Sequence, residues 1–269
     1  MKKVLLIGCG HMGNALLDSW INSYKYSLTV IDPVKYKYLK IKYKYKKLKI
    51  TNSILNLDND LNFEFIVFAV RPKDLKKVLN ELANKKINRN CAFVSVIAGK
   101  KINVFRKKLK NNYNFFRVMP NMPASIGQSM NCVVSSKESS KSIKDKVYKL
   151  LSYSGKTIFL QNENQIDMAT AISGSGPGFI FNLIDALERA AINLGFEKNI
   201  ARTLVHQTFK GSINLLDKKN LSAEKLVKVV ATKGGTTEAG LKVMKSNNIQ
   251  RIFKNFTKAS YKRAKEQGN

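Results

Sequence analysis

The feature that most constrains the fold is a spaced set of three glycines near the start of the chain. Gly8, Gly10 and Gly13 follow an apolar run that ends at Ile7 and precede a helical pattern from about His11. Between a strand and a helix, this spacing permits a tight turn, close approach of a pyrophosphate and close packing of helix on sheet. The amides at the start of the helix would face the phosphates. The pattern therefore predicts a dinucleotide-binding turn.

The residues at the end of the next predicted strand give opposite indications of whether NADH or NADPH binds. Residues 28–31 read as a strand that ends at Asp32, 24 positions after Gly8. An acidic residue there binds the ribose 2′-hydroxyl of NAD. Lys35 and Lys37 follow directly, and a cation can bind the 2′-phosphate of NADP. The choice between NADH and NADPH stays open, so the predicted cofactor is NAD(P)H.

Residues 35–49 interleave lysine with tyrosine, which permits two interpretations. Basic residues between aromatic ones can bind nucleic acid. However, apolar residues recur at alternating spacings of four and three, which predicts one stripe of an amphipathic helix: Val34, Tyr38, Ile41, Tyr45 and Leu48. The net charge of +30 comes from lysines spread along most of the chain. We favour a solvated helix and keep nucleic-acid binding as the alternative.

Three further apolar runs predict buried strands of a parallel sheet, at residues 65–70, 91–99 and 115–119. Ligands bind at the carboxyl ends of such strands. The residues expected to contact a cofactor are therefore Val70, Arg71, Pro72, Ala98 and Gly99, with Asn121 in a rigid loop between two prolines at the same edge.

The second half of the chain changes to helical patterns, at roughly 166–173, 177–195, 199–217, 222–231 and 249–265. We expect an α/β fold in which a Rossmann dinucleotide-binding domain, residues 1–160, precedes an all-helical domain, residues 161–269. Residues 157–197 contain no lysine, and their long helix is apolar nearly all round. Such a helix is typical of one buried in a partner, which predicts a helical interface and a homodimer.

Two small-residue segments interrupt the helical half. Gly174, Ser175, Gly176 and Gly178 allow close approach of a second backbone or a flat ring. The second segment, residues 234–237, reads Gly-Gly-Thr-Thr and predicts a helix start with a threonine cap and an acidic residue in the first turn. Free amides there would form a site for a small carboxylate.

Other features exclude several classes of protein. Three widely spaced cysteines argue against a disulfide framework, and two histidines leave little for a metal site, so no metal is expected. No apolar run approaches the roughly 18 residues of a membrane span. We therefore expect a cytoplasmic protein with no membrane partner.

The chain resembles the pyrroline-5-carboxylate reductase family over its whole length. The motifs are IGCGHMGNAL, AVRPKD, MPNMPASIG, ISGSGPGFIF and ATKGGTTEAGL, of which the last two are specific to that family. The resemblance implies a Rossmann domain, a helical dimerisation domain, dimers that often assemble to decamers, and NAD(P)H as hydride donor. It implies reduction of the small cyclic imine 1-pyrroline-5-carboxylate to proline.

The resemblance also implies roles for individual residues. The cofactor would be lined by a set that includes Ile7, Gly8, Gly10, His11, Met12, Gly13, Asn52, Ala69 and residues 97–99. The substrate would be bound by Thr232, Gly234, Gly235, Thr236 and Ser175, with the hydroxyl of Thr237 donating to the ring nitrogen as the catalytic contact. The family usually has threonine where Met122 stands and proline where Lys233 stands, so contacts at those two positions differ.

The lack of a candidate base in the second half of the chain also agrees with an imine as substrate. A hydroxy-acid dehydrogenase needs a base beside the carbinol. Residues 173–182 contain no lysine, and His206 falls in the middle of a predicted helix. The alternatives are a related imine reductase, a β-hydroxyacid-type dehydrogenase and, outside enzymes, a basic nucleic-acid-binding protein.

Overall fold

The computed structural model of the protein describes residues 1–44, 46–109 and 113–268. The chain divides into two compact units, Met1–Ser175 with Ser260–Asn269, and Gly176–Ala259. The domain boundary expected near residue 160 stays a prediction, whereas the compact units change over after Ser175.

The first unit is built on a sheet of eight described strands in the order β10-β9-β8-β7-β5-β1-β2-β3. Pairs are parallel except β8 with β9, and β4 with β6 forms a separate small parallel pair. The central order is that of a dinucleotide-binding fold. The strands are β1 (Lys2–Ile7), β2 (Tyr26–Ile31), β3 (Leu48–Thr51), β4 (Asp60–Leu61), β5 (Phe65–Phe68), β6 (Lys86–Ile87), β7 (Ala92–Ser95), β8 (Asn114–Met119), β9 (Ser129–Ser135) and β10 (Gly155–Phe159).

Six α-helices, two short 3-10 helices at Ile54–Asn56 and Met122–Ile126, and a π-helical turn at Thr170–Gly174 accompany the described strands of this unit. The helices are α1 (His11–Trp20), α2 (Tyr36–Lys42), α3 (Leu75–Ala83), α4 (Ile102–Leu109), α5 (Lys141–Leu151) and α6 (Glu163–Ala169). Side chains of each central strand alternate between two apolar clusters, one on each face of the sheet. In β1, for example, Leu5 and Ile7 join one cluster while Val4 and Leu6 join the other. This burial on both faces explains the continuous apolar runs in the sequence.

The amphipathic helix predicted from residue 34 to 48 is wrong in extent and in its buried face. The helix ends at Lys42, and Leu48 begins β3, which pairs with Leu28 of β2. Val34 and Ile41 are 83% and 77% exposed, whereas Leu39 is buried. The pairing of β3 at the sheet edge overrides the helical periodicity, which is a local signal only. Tyr45 lies outside the described residues.

The second unit is helical, as predicted. It contains α7 (Gly176–Asn193), α8 (Lys198–Lys219), α9 (Ala223–Val230), α10 (Thr236–Ser246) and the larger part of α11 (Ile249–Gly268). Within residues 176–259, the only buried residues are Ala201 and Val205. The unit therefore has almost no core of its own in a single chain. None of the helices in the described part of the chain has the length and apolar character to cross a membrane.

Candidate functional site

The three glycines between β1 and α1 differ in the space around them. A Cβ added at Gly13 would lie 2.3 Å from the carbonyl oxygen of Gly8, and one at Gly8 would lie 2.7 Å from that of Ala69. Around Gly10, an added Cβ would meet no described atom within 4 Å. Gly8 also has a φ of +92°, which disfavours a side chain. The first and third glycines hold the turn, and the second leaves the backbone open to a ligand.

The helix after the turn begins without a side-chain cap. Gly10 is its N-cap, and the first turn contains no acidic residue. The first amides of a helix have no intrahelical partner and attract anions. His11 is exposed and Met12 half-buried at this helix start. These features fit the pyrophosphate of a dinucleotide, and the individual contacts stay predictions.

Asp32 is buried at the end of β2, where both carboxylate oxygens accept backbone amides. Oδ2 accepts the N–H of Cys9 at 2.7 Å, while Oδ1 accepts those of Val34 and Lys35 at 2.9 and 2.7 Å. The carboxylate thus joins the glycine turn to the turn before α2. Asn52 is exposed at the adjacent end of β3. Ribose binding by Asp32 stays a prediction, and the structure gives this carboxylate three other partners.

The residues after β5 lie beside the glycine turn. The Cγ1 atom of Val70 would be 2.8 Å from a Cβ added at Gly8. Ala69 and Val70 are half-buried, whereas Arg71 and Pro72 are exposed. The guanidinium of Arg71 pairs with an aspartate three residues later. The structure therefore brings this predicted group to the same edge of the sheet as the glycines.

The loop after β7 has a packing role that the sequence did not reveal. Ala98 is exposed, but Gly99 is buried with a φ of +72°. A Cβ added at Gly99 would lie 2.1 Å from the carbonyl oxygen of Gln267, near the end of α11. This glycine therefore allows the last turn of α11 to pack on the loop, a contact between distant parts of the sequence.

The side chain of Asn121 joins the β8–β9 connection to the π-helical turn. Its Nδ2 donates to the carbonyl oxygen of Ser173 at 2.9 Å, and its Oδ1 accepts the N–H of Met130 at 2.9 Å. Ser175 donates its N–H to the carbonyl oxygen of Thr170 at 2.8 Å, which closes the turn. Such turns are frequent at functional sites. The carboxamide is thus engaged within the protein at both ends, and the ligand contacts of Asn121 and Ser175 stay predictions.

The second predicted site lies in the helical unit, at the start of α10. The N-cap there is Gly235 rather than a threonine, which corrects the capping prediction. Gly234 has a φ of +74°, and a Cβ added at Gly235 would lie 2.7 Å from Oγ1 of Thr232. Thr236 and Thr237 therefore occupy the first two helical positions, where both are exposed. The structure groups these five residues, and their contacts with a substrate stay predictions.

The side chain of Glu238 binds one backbone amide near the start of this helix. Oε2 of Glu238 accepts the N–H of Gly234 at 2.8 Å and lies 3.5 Å from Nζ of Lys242. Gly235 provides no side-chain cap to the helix. The amides of the first turn can donate to a small carboxylate, and this contact stays a prediction.

A buried ion pair behind the sheet edge was missed from the sequence. Arg117 in β8 is 3% exposed, and its guanidinium lies 2.6 Å from Oδ1 of Asp167 and 3.5 Å from Oε1 of Glu163. The same Oε1 accepts the N–H of Ile102 at 3.0 Å, at the start of α4. No local pattern marks this group, because its members come from three separate elements.

Two family descriptions match the chain. Pyrroline-5-carboxylate reductase dimerisation matches residues 163–267, and NADP oxidoreductase, coenzyme F420-dependent, matches residues 3–99. A pyrroline-5-carboxylate reductase of Staphylococcus haemolyticus is 29% identical over 267 residues, covering 98% of this chain and 97% of that protein.

Solved structures of similar proteins share the fold along the whole chain. A pyrroline-5-carboxylate reductase of Coxiella burnetii aligns with a TM-score of 0.87 and 29% identity, covering 99% of this chain and 98% of that one. A pyrroline carboxylate reductase of Plasmodium falciparum, solved with NADP bound, aligns with a TM-score of 0.84 and 26% identity. That alignment covers 100% of this chain and 98% of that one.

Proposed function

We propose that this chain, which belongs to the pyrroline-5-carboxylate reductase family, reduces 1-pyrroline-5-carboxylate to L-proline with NAD(P)H. The reaction is the last step of proline biosynthesis. The observation that carries the proposal is the glycine turn, which is packed at Gly8 and Gly13 but open at Gly10 beside an uncapped helix start. The cofactor-binding and imine-reducing functions of the relatives fit this site.

The amides at the start of α1 would hold the pyrophosphate of the cofactor, with the residues after β5 beside them. Bound NAD(P)H supplies the hydride. At the start of α10, the amides around Gly235 and Thr236 would hold the substrate carboxylate. The hydroxyl of Thr237 would donate a hydrogen bond to the ring nitrogen and fix the face of the imine that accepts the hydride.

A cyclic imine needs no strong base beside the reacting carbon. Its nitrogen accepts the hydrogen bond of Thr237 in the neutral imine, and the carbon accepts the hydride once this nitrogen has taken up a proton from water. Residues 173–182 contain no lysine, and His206 lies on α8 with its Nε2 2.7 Å from Oε1 of Glu188. A β-hydroxyacid dehydrogenase would need a base for the hydroxyl proton. Imine reduction therefore fits the residues better than alcohol oxidation.

We also propose a homodimer, with further assembly to a decamer, in the cytoplasm. The near absence of buried residues in 176–259 supports the dimer, because a helical unit needs a partner to cover its apolar faces. The lack of lysine in residues 157–197 agrees with a dimer, and so does the match of residues 163–267 to the family model for pyrroline-5-carboxylate reductase dimerisation. The cytoplasmic location rests on three buried, free cysteines.

The experiment is a nicotinamide absorbance assay with purified protein and 1-pyrroline-5-carboxylate. Thr237→Ala should lower turnover by about tenfold, the effect of one hydrogen bond of 1–2 kcal/mol, and leave cofactor affinity unchanged. Thr237→Ser keeps the hydroxyl and is the matched control, which should retain most activity. If the protein without substitutions does not oxidise NAD(P)H in the presence of this imine, the proposed function is refuted. If Thr237→Ala keeps the full turnover, the hydroxyl does not have the proposed role.

A further inference from the structure

We propose that the ribose subsite after β2 selects NADPH over NADH, and that Lys35 is the residue that recognises the 2′-phosphate. The inference rests on the proposed function, since it concerns the cofactor of the same site. It decides a choice that the sequence leaves open, since Asp32 after the second strand favours NAD and the lysines that follow it favour NADP.

The first step is the state of the Asp32 carboxylate. Two oxygens offer about four lone-pair positions, and backbone amides occupy three of them, two on Oδ1 and one on Oδ2. The residue is 7% exposed, so little of it faces a ligand. A ribose hydroxyl would therefore have only the one remaining position of Oδ2, to which it has little access. Asp32 is therefore a poor acceptor for the 2′-hydroxyl that distinguishes NADH.

The second step is the charge left at this edge of the sheet. The three amides also offset the negative charge of Asp32, which reduces its repulsion of a phosphate. The first turn of α2 contains no acidic residue. Lys42 is held by Asp18 at 3.3 Å, and the ammonium of Lys40 lies 4.5 Å from the ring centre of Tyr36. These two lysines are thus engaged with other groups.

Lys35 differs from them in position and in partners. Its own N–H is one of the amides bound to Asp32, at 2.7 Å, so its backbone is fixed directly beside the subsite. In residues 1–44, 46–109 and 113–268, no acidic side chain pairs with its ammonium group, and the side chain is half-buried. A fixed backbone and an unpaired cation are what recognition of a phosphate needs.

The environment of Cys9 agrees with this position. Burial, followed by the charge of Asp32, raises the pKa of the Cys9 thiol, and the ammonium of Lys35, followed by that of Lys42, opposes the rise. The positive charge of Lys35 thus acts on the glycine turn itself. Lys37, the second residue of α2, is exposed and adds positive charge at this edge of the sheet.

Equilibrium titration of the purified protein with NADPH and with NADH, without substrate, tests the inference. We expect NADPH to bind at least about tenfold more tightly, the contribution of one charge-assisted hydrogen bond. Lys35→Glu should remove this difference by weakening NADPH alone. Lys40→Glu makes the same charge change within α2, five residues after the N-cap position of Lys35, and is the matched control, which should keep the preference.

Equal or tighter binding of NADH by the unchanged protein would overturn the inference. So would an equal loss of NADPH affinity in Lys35→Glu and Lys40→Glu, since a diffuse positive field would then explain the preference. Preferential NADPH binding without reduction of 1-pyrroline-5-carboxylate would support the inference and refute the proposed function. The two failures are therefore distinguishable.

Discussion

At the scale of single residues, the glycine turn separates two roles that have the same side chain. A methyl group at Gly13 would lie 2.3 Å from a carbonyl oxygen, so the helix could not keep its distance from the turn. A methyl group at Gly10 would enter open space. The third glycine is needed for packing, whereas the second leaves the backbone open where we propose that the cofactor binds.

The matched pair Gly13→Ala and Gly10→Ala tests this difference. Gly13→Ala should lower the free energy of unfolding by about 1–3 kcal/mol, the usual cost of overpacking. Gly10→Ala should leave stability unchanged and weaken NADPH binding by about tenfold or more, because the methyl occupies the approach of the pyrophosphate. Thermal denaturation and NADPH titration measure the two effects. Similar stability losses in both variants would contradict the assignment.

At the scale of secondary-structure elements, Arg117 joins β8 to α6. Its guanidinium is buried against Asp167 at 2.6 Å, and Glu163 adds a contact with the start of α4. A buried charge that loses its partner is costly, whereas the intact pair adds little over apolar packing. We therefore expect the intact group to add little net stability and the loss of one member to be costly.

Asp167→Ala should therefore lower the free energy of unfolding by about 3–5 kcal/mol, because Arg117 stays buried without its main partner. The double variant Arg117→Met with Asp167→Leu should recover most of that loss. Asp60→Asn breaks the exposed pair of Asp60 with Lys86 and is the control, with an expected change below about 1 kcal/mol. Urea denaturation measures all three. A small loss in Asp167→Ala would show that the arginine finds water or another acceptor.

At the scale of the whole molecule, the two units differ in how they bury apolar side chains. The first has a cluster on each face of its sheet, whereas the second leaves residues such as Phe181 and Leu187 at 56% and 46% exposure. Exposed apolar surface of this kind marks an interaction face. The apolar faces of the helical unit are therefore the surface that the proposed dimer would cover.

Leu187→Glu should shift the protein towards monomer, because a charge would be buried in the interface formed by α7. Ile41→Glu makes the same change at an apolar residue that is 77% exposed on α2, and it should leave the assembly unchanged. Sedimentation velocity distinguishes the species. A dimer that persists in Leu187→Glu would place the interface on another face of the helical unit.

Alkaline pH should destabilise the first unit through its buried thiols and phenols. Burial raises the pKa of Cys9 from 9.0 to about 12 and that of Tyr26 from 10.0 to about 12. Above pH 9 the unfolded chain releases protons that the folded chain retains, so the free energy of unfolding falls as pH rises towards 12. The thermal midpoint between pH 7 and 11 should therefore decline, less steeply in Tyr26→Phe. Parallel curves for the two proteins would exclude Tyr26 as a source.

The sequence alone determined the features that depend on local order along the chain. The glycine turn, the buried strands and the helices of the second half follow from spacing and periodicity, because each pattern is satisfied within one or two adjacent elements. The start of α10 at the Gly-Gly-Thr-Thr segment belongs to the same class. Its capping residue was wrong by one position, since Gly235 rather than a threonine takes the N-cap.

The tertiary structure decided what depends on contacts between distant residues. Edge pairing of Leu48 with Leu28 ended α2 early, and Gln267 covered Gly99. The amide of Cys9, 23 positions before Asp32, bonds to one oxygen of the carboxylate that the sequence predicts as a partner of the ribose. A sequence pattern shows which polar groups the chain contains. Each polar group can form only a few hydrogen bonds, and the folded chain determines which partners form them.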